Sequence, residues 1–492
     1  MERLSGLDAS FLYTETPTLH MHTLKYALLD MSDVEGGFTL ERFRQVLADR
    51  LHLLPAFRRR LVEVPLGLHH AVWIDDPDFD LAAHVRRVGV PFPGGRREMD
   101  ELIGQIASWP LDRRRPLWEI WVLEGLADDL DDPAGQPPSG RTVGFLAKIH
   151  HSVADGVAAA AMLANVMSTS PEGDDAPAPG PPWYPESPPS AWRLLVDAVV
   201  DAVRNLRRLP ALLLRTTRAL RAVARRRKHA DVSPPLPVLH SPRTPFNAAL
   251  TPHRSFATAE LSFDDARRVK SRFGVTLNDV VLAMAAGAVR AHLEDLDALP
   301  ARPLVASVPT SVDGGGGGGT RLSGNRVSNL FTSLRTDLAD PVERLLAISE
   351  VTRAAKEVQQ LMGSELLLDW SEFTPPRLAA WAMRQYSRLR LADRHRPPIN
   401  LIVSNVPGPR EALYVAGGRL EGMWSVGPIL EGVGLNITVW SYGDRLFAGL
   451  LACPEQLSDL HSLAARLPLA LAELVARSDE PAAVPARSDA AS

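Results

Sequence analysis

Two proline-rich stretches decide how this 492-residue chain can be divided. Residues 171–190, PEGDDAPAPGPPWYPESPPS, carry too many prolines for a helix or a central strand, since each proline lacks the amide N–H that both require. A second stretch, SPPLPVLHSPRTP, ends near residue 245. Cores must therefore form on either side of them. The spacing predicts an N-terminal half over residues 1–170, a linker and helical insert over 171–245, and a C-terminal half over 246–478. The polar, Ala/Pro-rich tail over 479–492 is expected to be disordered.

Both halves read as α/β. In the first, Leu40 to Leu54 has helical apolar spacing, Thr142 to Ile149 reads as a buried strand, and Val157 to Met167 is an Ala-rich helix former. In the second, Phe263 to Phe273 and Asn278 to Leu293 look helical. Leu304 to Val308, Ile399 to Ser404, Leu435 to Ser441 and Leu446 to Leu451 look like strands. Six consecutive glycines, Gly314 to Gly319, make a flexible loop.

Several functional classes are excluded at this level. A net charge of −4 gives no global basic field for nucleic acid. The one cysteine, Cys453, permits no intrachain disulfide and, followed by Pro454, reads as a buried inert thiol. MERLSGLDAS has no signal-peptide pattern, and no stretch approaches the ~20 apolar residues that span a bilayer. The expectation is a cytoplasmic protein whose membrane contact, if any, is peripheral.

The segment that carries chemistry is His150-His151-Ser152-Val153-Ala154-Asp155-Gly156, with a strand leading in and a helix leading out. Successive strand side chains face opposite sides, so the two histidines cannot share one task. A neutral imidazole suits removing a proton from a hydroxyl as its oxygen attacks a carbonyl. A thioester needs no protein nucleophile, because a thiolate leaves readily. Asp155 either caps the following helix or takes a direct chemical part. Gly156 would allow another segment to approach closely. Asn278 is either an oxyanion donor or the N-cap of the helix that follows it. Adjacent strand histidines diverge and no third ligand has suitable spacing, so no metal site is expected.

At these residues the chain resembles the bacterial wax ester synthase/acyl-CoA:diacylglycerol acyltransferases. HHxxxDG is similar to their active-site motif, although other acyl-CoA transferases and peptide-synthetase condensation domains share it. Leu4 to Leu12 resembles their opening segment, with Gly6 where proline is usual. Arg115-Pro116-Leu117-Trp118-Glu119, Thr276-Leu277-Asn278-Asp279-Val280, Gly324-Asn325-Arg326-Val327-Ser328 and Ser404-Asn405-Val406-Pro407-Gly408-Pro409 extend the resemblance over both halves. It implies two chloramphenicol-acetyltransferase-like halves with the active site in a tunnel between them. Acyl-CoA would enter as a substrate rather than a cofactor, and diacylglycerol or a fatty alcohol as acceptor. By the same resemblance His151 is the base and His150 a support. Pro116-Leu117-Trp118 is read as packing, and Pro407-Gly408-Pro409 as a rigid turn that could shape the channel. Rival readings are a condensation-type acyltransferase using a carrier-protein thioester, and a non-catalytic lipid-surface protein.

The insert adds a second theme. Ala191 to Ala230 is helical in pattern, kinked or broken at Pro210, with eleven basic residues against Asp197 and Asp201. Arg215, Arg218, Arg221 and Arg225 fall on one face, opposite Leu213 and Leu220. Such a helix over 191–229 either meets a membrane or lipid-droplet surface or packs on the protein.

Overall fold

The computed structural model describes residues 1–133, 137–172, 180, 183–236, 241–311, 324–325, 327–363 and 365–480. The six-glycine run and residues 481–492 of the tail lie outside these. The N-terminal half runs β1 (Glu2–Arg3), α1 (Gly6–Thr14), β2 (His22–Asp30), α2 (Leu40–Arg50), β3 (Arg59–Val62), β4 (Val72–Asp75), α3 (Leu81–His84), β5 (Val85–Gly89), α4 (Arg96–Ser108), β6 (Trp118–Glu124), β7 (Thr142–His150) and α5 (Gly156–Ala164). A single helix, α6 (Ala191–His229), forms the insert. There follow β8 (Ser255–Ser262), α7 (Phe263–Phe273), α8 (Leu277–Asp295), β9 (Val305–Ser311), β10 (Val327–Ser333), α9 (Pro341–Met362), α10 (Leu366–Ser371) and α11 (Pro376–Arg388). The chain closes with β11 (Leu401–Val406), β12 (Tyr414–Val415), β13 (Gly418–Val426), β14 (Leu435–Tyr442), β15 (Arg445–Ala452) and α12 (Leu460–Ser478).

Two mixed six-stranded sheets carry the two halves, in the orders β12-β13-β2-β7-β6-β5 and β10-β9-β11-β14-β15-β8. The first includes two strands from the C-terminal half. β13 pairs antiparallel with β2, setting Ser425 opposite Lys25 and Trp424 opposite Tyr26. The halves read from the sequence are thus not separable near residue 245. The apolar spacing of β13 fits a central strand of either sheet, and nothing local in it selects the partner.

Burial explains the composition of the central elements. β7 lies between β2 and β6 and is buried along nearly its whole length, which matches its continuous apolar run. α8 is buried on almost every side, between the second sheet and α9 and α12, and so is apolar all round. Cys453 is fully buried, and burial pushes its thiol above the ordinary value, in keeping with a packing role.

The insert takes one of its two expected placements and departs from expectation in two respects. α6 runs unbroken through Pro210, which lies on an exposed side where water can satisfy the carbonyl that proline leaves unmatched. It packs on the protein through Leu194, Ala198, Leu212, Ala219 and Val223. The basic face is not uniform either: Arg215 pairs with Asp369 at 2.8 Å, while Leu213 and Leu220 are 47% and 53% exposed. The outward stripe of the first half of the helix is instead apolar, with Trp192, Val196, Val199, Val203 and Leu206 all exposed.

Gly6 has a packing reason. Its N–H donates to Glu372 Oε1 at 2.6 Å, and a Cβ would sit 2.3 Å from the Ser371 carbonyl carbon. Proline there would remove the donor and fill occupied space. Gly6→Pro should therefore lower stability by about 2 kcal/mol or more, the overpacking and lost-bond costs together. Thermal unfolding of the two proteins checks this, and an unchanged midpoint would refute it.

Candidate functional site

β7 ends at His150, and a tight turn leads into α5. The turn is pinned at both histidines, since His150 N–H donates to Leu117 O at 2.9 Å and His151 N–H to Met21 O at 2.7 Å. Asp155 caps α5, accepting from Ala158 N–H at 2.9 Å, and Gly156 opens the helix. Both Asp155 and His151 line a cavity of about 180 Å³. The cavity is walled by Phe11, Thr23 and Lys25 from the N-terminal half and by Ser307, Asn329, Ser404 and Thr438 from the C-terminal half.

His151 is held on three sides. Its ring stacks on Phe11 with centroids 4.2 Å apart. Nδ1 lies 3.0 Å from Asn325 Oδ1, a contact between residues 174 apart in sequence. Asn325 Nδ2 donates to Asp8 Oδ1 and to the His151 carbonyl, both at 2.6 Å. Only an amide nitrogen can donate to those two acceptors, so the oxygen of Asn325 faces His151. His151 then carries its proton on Nδ1, leaving Nε2 with a lone pair. Burial pushes the ring below its ordinary pKa, against smaller opposing contributions from its own backbone, Asp155 and Asn325. The ring is neutral, with its Nε2 lone pair unprotonated.

His150 faces elsewhere. Nδ1 accepts from Ser152 N–H at 3.0 Å, and Ser152 Oγ lies 2.7 Å away. Nε2 lies 3.2 Å from Glu15 Oε1. Glu15 also receives Arg113 Nε at 2.9 Å and lies 3.9 Å from His22 Nε2. Burial alone would raise the Glu15 carboxyl, but the hydrogen bond from His150 and the Arg113 guanidinium hold it below the carboxylate range. The adjacent rings thus occupy different surroundings, His150 as the last residue of β7 and His151 in the turn beyond it.

Asn278 corrects an expectation. The N-cap of α8 is Thr276, which accepts from Asp279 N–H while the Asp279 carboxylate returns two bonds to Thr276. Asn278 is one residue inside the helix and does not line the cavity at His151. A threonine followed three residues later by an acidic residue is the capping-box signal that competes with an Asn reading. Trp118 packs as expected, stacked on Phe57 at 4.3 Å with its indole N–H on Phe57 O. At Gly408 a Cβ would meet Ser441 O at 2.1 Å, so that turn is a close approach, while Ser404 and Val406 before it line the cavity. Asp8, Phe11 and Asn325 lie in segments that carried the family resemblance without an assigned role, while Glu15 and Lys25 are residues that sequence reasoning did not single out.

A histidine at the end of a central strand, facing a cavity between two mixed sheets, the first of them completed by strands from the C-terminal half, is the arrangement of a chloramphenicol-acetyltransferase-like fold. A model of the wax ester synthase/diacylglycerol acyltransferase catalytic domain matches residues 4–281, and one of the C-terminal domain of that family matches residues 323–475. Two putative diacylglycerol O-acyltransferases of Mycobacterium tuberculosis are similar, one 41% identical over 94% of both chains, the other 40% identical over 98% of this chain and 91% of the relative. The wax ester synthase/diacylglycerol acyltransferase structure from Marinobacter aquaeolei superposes with a TM-score of 0.64 at 29% identity, covering 97% of this chain and 99% of that one. The first condensation domain of the calcium-dependent antibiotic synthetase shares the fold, with a TM-score of 0.58 at 16% identity, covering 98% of this chain and 99% of that one. The chain belongs to the wax ester synthase/diacylglycerol acyltransferase family and is an acyltransferase.

The buried histidines set an acid limit on stability. Burial pushes His20 and His70 to about 4, and His22 well below its ordinary value. Each is neutral in the folded protein and takes up a proton once unfolded. Below pH 6.5 the unfolded state therefore binds more protons, so stability falls as pH drops towards 4. The thermal midpoint should decline steadily between pH 7.5 and 4.5. A flat profile would contradict the burial argument.

Proposed function

We propose that this chain transfers a fatty acyl group from acyl-CoA to diacylglycerol, and secondarily to long-chain alcohols, with His151 as general base. The observation that carries the reading is the Asn325–His151 contact. It leaves Nε2 unprotonated in a cavity built from both halves. Nε2 takes the acceptor hydroxyl proton as the oxygen attacks the thioester carbonyl. The tetrahedral adduct then collapses, the C–S bond breaks, and the CoA thiolate leaves with the proton returned from His151. No cofactor enters this scheme, since acyl-CoA is consumed as substrate. Asn325 and Asp8 orient the ring, and Asp155 holds the turn that presents it.

His151→Ala should lower kcat by at least ~10² with the thermal midpoint retained. His150→Ala, which removes the partner of Glu15 and Ser152, should lower the midpoint more than the chemical step. Single-turnover acyl transfer alongside thermal unfolding measures both. Near wild-type turnover in a folded His151→Ala protein would end this mechanism.

The acceptors are insoluble, and α6 offers a way to reach them. Among the described residues, no single helix is long and apolar enough to cross a membrane. The reading here is peripheral attachment to an anionic membrane or lipid-droplet surface. Trp192, Val199, Val203 and Leu206 enter the interface, and Arg218, Arg221, Arg225 and Lys228 further along lie against the headgroups. Each basic residue near such a surface is worth roughly 1 kcal/mol. Replacing Trp192, Val199 and Leu206 with Ser should weaken co-sedimentation with phosphatidylglycerol vesicles at least tenfold. Turnover of short, soluble substrates should be unchanged. Equal sedimentation of the variant would remove α6 from the interface.

A further inference from the structure

Lys25 is a fully buried ammonium on the catalytic side of β2, and the mechanism above does not use it. Among the described residues, no carboxylate lies within ion-pair distance of it. Its one hydrogen bond there is to Ser425 Oγ at 3.1 Å, and its Nζ lies 4.8 Å from the Trp440 ring centroid. An ammonium has three N–H donors, so the arrangement leaves donor capacity inside the cavity. Burial pushes its pKa down to about 8, against the pull of Asp155. A buried cation with so little compensation is a net cost to the fold.

Its position gives that cost a purpose. Lys25 lines the cavity that holds His151, and it also lines a second, narrow cavity that is otherwise wholly apolar. The second cavity continues along the same face of β2 through Ala27 and Leu29, and along β7 through Ile149, Ala147 and Phe145. Thr23, Lys25, Ala27 and Leu29 are alternate residues, so together they floor one path. From Lys25 to Leu29 the apolar floor runs roughly 13 Å, along a cavity of about 50 Å³ that a fatty chain enters as its walls yield. Met162, Met167 and Met423 line the apolar part, and flexible thioethers yield to chains of different shape.

We propose that this apolar cavity takes a fatty acyl chain, and that Lys25 at its mouth donates a hydrogen bond to the carbonyl oxygen heading that chain. The assignment rests on the acyltransferase reading above and adds a substrate-binding residue to it. A chain headed by a carbonyl comes from two sources here, the thioester of the acyl donor or an ester of the diacylglycerol acceptor. A fatty alcohol has no carbonyl, so comparing acceptors separates the two.

The test is Lys25→Met, assayed with palmitoyl-CoA and either dioctanoylglycerol or dodecanol. Removing a buried, poorly compensated charge should leave the thermal midpoint equal or higher. A fall of at least tenfold in kcat/KM for dioctanoylglycerol, with dodecanol unaffected, supports the proposal and identifies the acceptor ester. An equal tenfold fall on both, with the midpoint retained, supports it and identifies the donor thioester. Unchanged kcat/KM on both acceptors overturns it. So does a loss accompanied by a lower midpoint, since Lys25 would then be holding the fold. Titration with methyl oleate provides a readout independent of turnover. Wild type should bind it at least tenfold more tightly than Lys25→Met, even if the wild-type chain transferred acyl groups to neither acceptor. Equal binding would overturn the carbonyl contact while leaving the acyltransferase reading intact.

Discussion

The pairing of β13 with β2 is the constraint on which the rest of the site depends. It completes the first sheet with a strand from the second half, and in doing so fixes Ser425 beside Lys25. With β13 seated, β11 and β14, from the same stretch of chain, form the opposite wall of the cavity through Ser404 and Thr438. Neither half encloses His151 alone. An acyl transfer needs this closure, because a thioester exposed to bulk water has hydrolysis as a competing fate.

A second link between the halves is polar. Asp8 lies in the first turn of α1, Asn325 belongs to the C-terminal half, and His151 follows β7, yet one amide joins all three. The asymmetry of an amide is what makes the link informative. Its NH₂ is committed to Asp8 and the His151 carbonyl, so its oxygen has one remaining role, and the tautomer of His151 follows. A carboxylate in that place would also accept from Nδ1 but would raise the imidazole pKa, as an opposite charge does. The neutral amide orients without charging.

How much of this was legible in the sequence follows from how local each feature is. The strand, the turn and the helix around HHSVADG are written in ten or so adjacent residues, and the different surroundings of His150 and His151 follow from the strand ending between them. The proline-rich stretches marked where neither sheet could continue. The partner of β13, the Asn325 contact and the Glu15–His150 pair each depend on residues more than a hundred positions apart, and no periodicity encodes them. Asn278 was misread because two capping residues stood two positions apart, and the box between Thr276 and Asp279 selected the first. For α6 the charges drew attention to Arg215 and its neighbours. The helix is in fact oriented by its buried apolar residues, Leu194, Ala198, Leu212, Ala219 and Val223, which carry no signal in a charge pattern.

The two buried lysines show why burial alone does not mark a functional group. Lys148 sits in the central strand β7 with no exposure, but its Nζ reaches Glu119 at 3.2 Å and the carbonyls of Ile106 and Trp109 at 3.2 and 3.0 Å. It ties α4 and β6 to β7, and its donors are spent within the protein. Lys25, one strand away, is equally buried but meets one hydroxyl, an aromatic face and an open cavity. A fold tolerates the second arrangement less readily than the first, because unspent donors in a low-dielectric site raise the free energy of the empty protein. That energy is recovered when an oxygen arrives. The difference between the two lysines therefore lies in their unspent donors rather than their depth, and those donors face the cavity that also holds His151.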